Sequence, residues 1–154
     1  MKTLIVWFSW GGTCKALAEQ LGSTLPAETF RIARREDYPA EYGECVKQAV
    51  SEKQANARPE LKDEVPDASG FGRIILIYPN WCGTCPMPVF SFLERFQTAG
   101  RMIYPICLNG GSGLASSVAD IKAGAPQAAV RDGLSLDGSL AVQAHLARAV
   151  SWLD

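Results

Sequence analysis

Ile74 to Tyr78 (IILIY) is apolar at every position, and so is Leu4 to Phe8 (LIVWF). A strand wetted on one face alternates apolar and polar residues, whereas a strand without alternation is covered on both faces, as in a parallel sheet flanked by helices. The first run, Thr3–Ser9, ends at the Gly11-Gly12 pair, and Arg73–Tyr78 is bounded by Gly72 and Pro79. Two further strands are predicted at Glu28–Ile32 and Met102–Leu108, with a short fifth at Ala128–Val130.

Between these runs the period changes to that of a helix. Thr13–Leu21 opens a pattern that sets Leu17, Leu21 and Leu25 on one face. Tyr38–Ala57 is a polar helical segment, and the loop after it carries Pro59 and Pro66, through which no helix continues. Pro86 opens a helix whose buried face is Val89, Phe90, Leu93 and Phe96. A helix over Leu114–Ala123 follows, and a last one buries Leu140, Ala144, Ala147 and Val150 before ending near Trp152-Leu153. Strands alternating with helices imply right-handed crossovers, so the expected class is α/β with a parallel sheet and helices on both faces. The 154 residues suit one domain, taken as 1–154.

Charge excludes several classes of function. Fifteen Lys and Arg stand against sixteen Asp and Glu, leaving no basic excess for nucleic acid or an anionic membrane. No run approaches the roughly 18 apolar residues of a membrane span. Leu4–Phe8 is too short for a secretory signal core, so a cytoplasmic protein is expected. Cys14, Cys45, Cys82, Cys85 and Cys107 are odd in number and are not read as a disulfide framework; Cys45 and Cys107 read as packing. His145 is the single histidine, which leaves Cys82 and Cys85 without a second histidine for zinc, so no metal site is expected. No Ser or Asp spacing supports His145 in catalysis, and it reads as a partly exposed helix residue. Arg34-Arg35 and the Glu/Lys stretch from Glu41 to Glu64 read as a solvated face.

In an open parallel sheet, ligands bind outside the carboxyl ends of the strands. Three unusual segments fall there: Ser9-Trp10-Gly11-Gly12-Thr13-Cys14, Pro79-Asn80-Trp81-Cys82-Gly83-Thr84-Cys85 and Asn109-Gly110-Gly111-Ser112-Gly113. The first has the strand, glycine turn and helix start that bind phosphate through backbone N–H groups, but lacks the Walker and dinucleotide glycine patterns. A tight turn without a ligand is the alternative. The glycines of the third segment allow close approach to a planar ligand or simply form a flexible turn.

Taken together, the chain resembles the short-chain flavodoxin-like family nearly end to end. The likeness lies in the hydroxyl- and glycine-rich turn after the first strand, Tyr38-Pro39-Ala40 with Glu44-Cys45-Val46, and Asn56-Ala57-Arg58-Pro59-Glu60-Leu61. It continues through Tyr78 to Thr84, Pro86-Met87-Pro88-Val89-Phe90-Ser91-Phe92-Leu93-Glu94 and Gly110 to Leu114. The resemblance implies a flavodoxin-like three-layer sandwich with a five-stranded sheet of order 2-1-3-4-5, FMN as cofactor, and electron transfer to a redox partner protein or small-molecule acceptor. By position, Ser9 to Cys14 would hold the phosphate, and Pro79 to Gly83 would cover the isoalloxazine, with Trp81 stacked on it. Asn109 to Gly113 would offer amides to the pyrimidine edge, while Trp10 would cover the ribityl chain or pack over the loop.

Three departures qualify that reading. Gly11 and Cys14 stand where the family usually carries hydroxyls, and two lost bonds to a charged group weaken FMN by about 3–6 kcal/mol, with Lys15 a partial substitute. Trp81-Cys82-Gly83-Thr84-Cys85-Pro86 resembles the thioredoxin active-site string, so Cys82 and Cys85 are either a redox dithiol activated at a helix start or space-filling residues. The near-neutral charge lacks the acidity that steers many flavodoxins to large partners. A thiol-disulfide oxidoreductase with weak FMN binding, or a fold retained as a binding module, are the alternatives.

Overall fold

The computed structural model describes residues 2–154. In chain order the elements are β1 (Lys2–Trp7), α1 (Thr13–Thr24), β2 (Ala27–Arg31), α2 (Tyr42–Gln54), β3 (Phe71–Pro79) and α3 (Met87–Arg95). They continue with β4 (Met102–Asn109), α4 (Ser117–Gly124), β5 (Ala129–Val130), β6 (Leu134–Asp137) and α5 (Val142–Leu153). All strand pairs are parallel and the order is β2-β1-β3-β4-β5, with β6 also on β4.

The absence of alternation in the central strands has the cause their sequence implies. Leu4 and Val6 of β1, Phe8 just beyond it, and Ile74, Leu76 and Tyr78 of β3 face α3 and α4. Ile5, Trp7, Ile75 and Ile77 face α1 and α5. Each face buries its own cluster, so every position from Leu4 to Phe8 and from Ile74 to Tyr78 is apolar.

The far edge differs from expectation. Its strand is split: β5 pairs Met102 and Ile103, and β6, which the sequence reading missed, pairs Ile106 to Asn109. Pro105 supplies no N–H to a ladder, and the interruption falls opposite it. Gly133 lies in the gap, where a Cβ would come within 2.7 Å of the Val118 side chain and 2.9 Å of that of Leu114, so a larger residue there would force those side chains aside. The signal for β6 was present in Leu134-Ser135-Leu136-Asp137, whose leucines are buried and whose polar residues are exposed.

Helix boundaries and faces also shift. α2 starts at Tyr42 rather than Tyr38, because the Glu41 carboxylate caps it by accepting the Glu44 N–H at 2.6 Å. α4 starts at Ser117 rather than Leu114. Leu140 lies before α5 and is exposed, as are Ala144 and Ala147 on it, and His145 and Ala149 are buried instead. Alanines spaced around this helix make two faces equally apolar in sequence, and packing against α1 and β6 selects the other one. His145, 1% exposed, is tolerated there because its Nε2 lies 2.6 Å from the Asp137 carbonyl.

Candidate functional site

Four connections meet at the carboxyl edge. Those after β1, β3 and β4 are the three segments singled out by sequence; the fourth, after β6, brings Gly138 and Ser139 to the same place. They enclose a cleft of about 230 Å³ lined by Ser9, Trp10, Thr13, Cys14, Pro79, Trp81, Leu108, Asn109, Gly110, Gly138 and Ser139. A second hollow of about 200 Å³ runs on toward α2, past Tyr42, Cys45, Val46, Ala49, Asn80 and Cys82. Trp10 and Trp81 line both. Each part alone is below the about 300–1,000 Å³ of a typical small-molecule site, and the two joined fall within it.

At one end of the cleft, α1 begins without a side-chain cap. Ala16 is the first residue to bond back, to the Gly12 carbonyl at 3.0 Å, so the N–H groups of Thr13, Cys14 and Lys15 have no helical acceptor. Gly11 and Gly12 both have φ +96°, and Ser9 Oγ accepts the Gly12 N–H at 3.1 Å. No side-chain cation lines this part of the cleft. Cys14 is turned inward and buried; burial, and Cys107 beside it, hold its thiol far above the ordinary range.

The second connection is a two-residue hairpin turn. Trp81 N–H donates to the Thr84 carbonyl at 2.8 Å and Thr84 N–H to the Trp81 carbonyl at 3.1 Å, with positive φ at Cys82 (57°) and Gly83 (82°). This places the two cysteines differently from expectation. Cys82 is exposed at the turn tip, five residues before α3 begins at Met87, so no helix start lies at its thiol. Cys85 is fully buried, and desolvation, with Cys107 and Asp120 nearby, raises its thiol well above the ordinary range. Trp81 is half-buried, edge-to-face with Phe8 (5.1 Å) and Tyr38 (5.0 Å). Trp10 donates its indole N–H to the Pro39 carbonyl at 3.0 Å and lies 6.2 Å from the Tyr42 ring.

Two asparagines tie the loops together. Asn80 Nδ2 donates to Ser112 Oγ (3.0 Å) and the Gly113 carbonyl (3.1 Å), while its Oδ1 accepts the Gly83 N–H at 2.9 Å. Asn109 Oδ1 accepts the N–H groups of Gly111 and Gly113, both at 3.0 Å. The third loop therefore directs two of its amides inward to Asn109 rather than outward to a ligand edge. Asp137 does the same for the fourth loop, accepting the Ser139 N–H and hydroxyl, which hold its carboxyl below the usual range.

A larger cavity, about 530 Å³, lies on the other side of the Trp81–Thr84 turn, between α2, α3 and α4. Its polar groups are already matched: Lys53 to the Cys82 carbonyl, Arg58 to Glu94 at 2.5 Å, and Thr84 and Ser116 hydroxyls to Asp120 at 2.6 and 2.8 Å.

A parallel sheet of order 2-1-3-4-5 with helices on both faces, and a cleft among the loops that follow β1, β3 and β4, defines a flavodoxin-like α/β protein. A flavodoxin family model matches residues 2–153, and the chain belongs to that family. Its fold is similar to that of a provisionally assigned flavoprotein from Bacteroides uniformis, at 20% identity and TM-score 0.85, covering 99% of this chain and 97% of the other. A Lactobacillus acidophilus flavoprotein in complex with FMN is 21% identical with TM-score 0.80, covering 99% of both chains. The oxidised flavodoxin 2 of Bacillus cereus is 14% identical with TM-score 0.54, covering 99% of this chain and 98% of the other. No curated protein sequence matches significantly. Among the described residues no helix is long and apolar enough to cross a membrane.

Proposed function

We propose that the protein binds FMN in the two-part cleft and carries one or two electrons between a redox partner protein and a second protein or small-molecule acceptor. The observation that carries the reading is the uncapped start of α1 opening into a cleft walled by two tryptophans. The amides of Thr13, Cys14 and Lys15 and the hydroxyls of Ser9 and Thr13 suit a phosphate, which the helix dipole favours without a cation. Gly11 and Gly12 have open space where a Cβ would stand, so backbone and phosphate can approach closely. Trp10 and Trp81 supply flat apolar walls for a ring system, Asn80 and Asn109 hold the two loops that border it, and Gly110 and Ser112 present amides not taken by Asn109.

Bound FMN supplies the redox chemistry; the chain orients the ring and sets its surroundings. Visible absorbance of the purified protein, before and after adding FMN and removing the excess, tests the reading. Retained flavin that bleaches on chemical reduction is the expected result, and a colourless protein that fails to retain added FMN overturns it.

A further inference from the structure

Glu52 lies in a stretch whose charges read as solvated, yet it is only 7% exposed. Its Oε2 accepts from Arg34 Nη1 at 3.2 Å and from Gln48 Nε2 at 3.0 Å, and its Oε1 accepts the Tyr38 hydroxyl. The Arg34 guanidinium lies 4.3 Å from the Tyr38 ring centroid, and its Nε and Nη2 donate to the carbonyls of Glu36 (2.8 Å) and Asp37 (3.2 Å). A buried carboxylate is thus matched by one cation and two neutral donors, and the chain from 34 to 38 winds around the arginine. Burial and the neighbouring carboxylate hold the Tyr38 phenol above its ordinary range, so it stays a donor.

What this cluster touches is the cleft. The Tyr38 ring packs edge-to-face on Trp81, centroids 5.0 Å apart at 87°, and on Phe8 at 5.9 Å. The next residue, Pro39, accepts the Trp10 indole N–H. Trp10 and Trp81 are the two side chains common to both halves of the cleft. We infer that Arg34, Tyr38 and Glu52 form a positioning cluster that fixes the two tryptophans of the cleft, acting through the Tyr38 ring and the Pro39 carbonyl. Large side chains held in place before a ligand arrives lose no further freedom when it binds, so affinity is gained without a direct contact.

The inference rests on the FMN reading for its effect on affinity, but not for its effect on the tryptophans, and the test separates the two. Full-length protein is prepared as wild type, Tyr38→Leu, Tyr38→Phe, Glu52→Gln and Tyr104→Leu. The last removes a ring that packs edge-to-face on Trp152, on the face of the sheet opposite Tyr38 and Trp81. FMN affinity is measured by fluorescence titration, bound flavin by visible circular dichroism, and tryptophan exposure in the cofactor-free protein by acrylamide quenching.

Tyr38→Leu is expected to weaken FMN about tenfold, change the flavin dichroism and increase quenching. Tyr38→Phe, which keeps the ring, restores most of the affinity. Glu52→Gln weakens FMN about threefold and carries the test if Tyr38→Leu does not fold. Tyr104→Leu lowers the melting temperature and leaves affinity and dichroism as in wild type. Unchanged affinity and quenching in Tyr38→Leu and Glu52→Gln overturn the inference, as does an equal loss of affinity in Tyr104→Leu. If wild type takes up no FMN, the cofactor reading fails alone, and the quenching of Tyr38→Leu and Glu52→Gln against wild type decides the positioning claim.

Discussion

The Trp81–Thr84 turn separates two hollows at the same edge of the molecule, and they differ in a way that volume does not capture. The hollow toward α3 and α4 is the larger, about 530 Å³, but its Lys53, Arg58, Glu94 and Asp120 bond to one another or to the turn. The cleft on the other side is about 230 Å³ in its first part and meets a helix start whose amides have no helical acceptor. Matched polar groups offer an incoming ligand only an exchange of bonds, whereas unshared amides beside apolar walls offer new ones. Capacity to bind follows from what is left unpaired.

The sharpest way to break this contrast is to remove one aromatic from each side. Phe90→Ala, in the wall of the larger cavity, costs about 3–5 kcal/mol of stability, and Trp81→Ala, half-buried, falls at or below that range. Thermal melts are expected to show both losses, while FMN retention, followed by absorbance after desalting, disappears only in Trp81→Ala. Loss of retention in Phe90→Ala would tie the two hollows together.

Next in size are the hydroxyls at the start of α1. Ser9→Ala and Thr13→Ala are each expected to weaken FMN by about 1.5–3 kcal/mol, roughly ten- to a hundredfold, with little change in melting temperature. A titration in which neither variant moves the dissociation constant removes the phosphate from this end of the cleft.

Beneath the surface the two sides are expected to behave alike. Cys14 in the cleft wall, Cys85 next to the larger cavity and Cys107 between them have raised thiol pKa values; burial pushes Cys107 up to about 12 from the ordinary 9.0. Their contribution is complete below the unfolded-chain value and is lost as pH rises, because the unfolded chain then ionises thiols that the native chain keeps protonated. One unit above 9.0 the loss is about 1.4 kcal/mol per thiol, measurable by urea unfolding, and Cys85→Ala lessens the pH slope by one thiol's share. A stability that stays flat across this range contradicts the burial of these thiols.

The smallest effects belong to the matched charges. Lys53→Ala and Arg58→Ala are each expected to cost under about 1 kcal/mol of stability, since the Arg58–Glu94 pair is partly exposed, and to leave FMN affinity as it was. A clear gain or loss of FMN affinity in either variant would give the larger cavity a part in binding.

Much of this was legible in the chain itself. Ile74–Tyr78 and Leu4–Phe8 identify a doubly covered sheet, and three glycine-marked turns fall at one edge of it. The fourth loop was missed because Leu134-Ser135-Leu136-Asp137 is short and its strand is broken opposite Pro105. Glu52 reads as solvated in the sequence because its partners lie elsewhere: Arg34 is 18 residues away and Tyr38 is 14. The string Trp81 to Pro86 resembled a thiol site, but its spacing did not show that Cys82 would sit on a hairpin tip and Cys85 in the core.

The apolar runs of the chain set the layers and the edge at which the loops gather, because uninterrupted apolar strands have no stable arrangement except between two covers. Which donors stay unshared, which carboxylate is buried and which tryptophans are held were settled by packing between segments distant in the chain. Those outcomes depend on pairs such as Trp10 with Pro39, Asn80 with Ser112 and Tyr38 with Glu52. The free energy of a polar group is set by the partner that reaches it, and these partners meet only when the crossovers bring distant segments together.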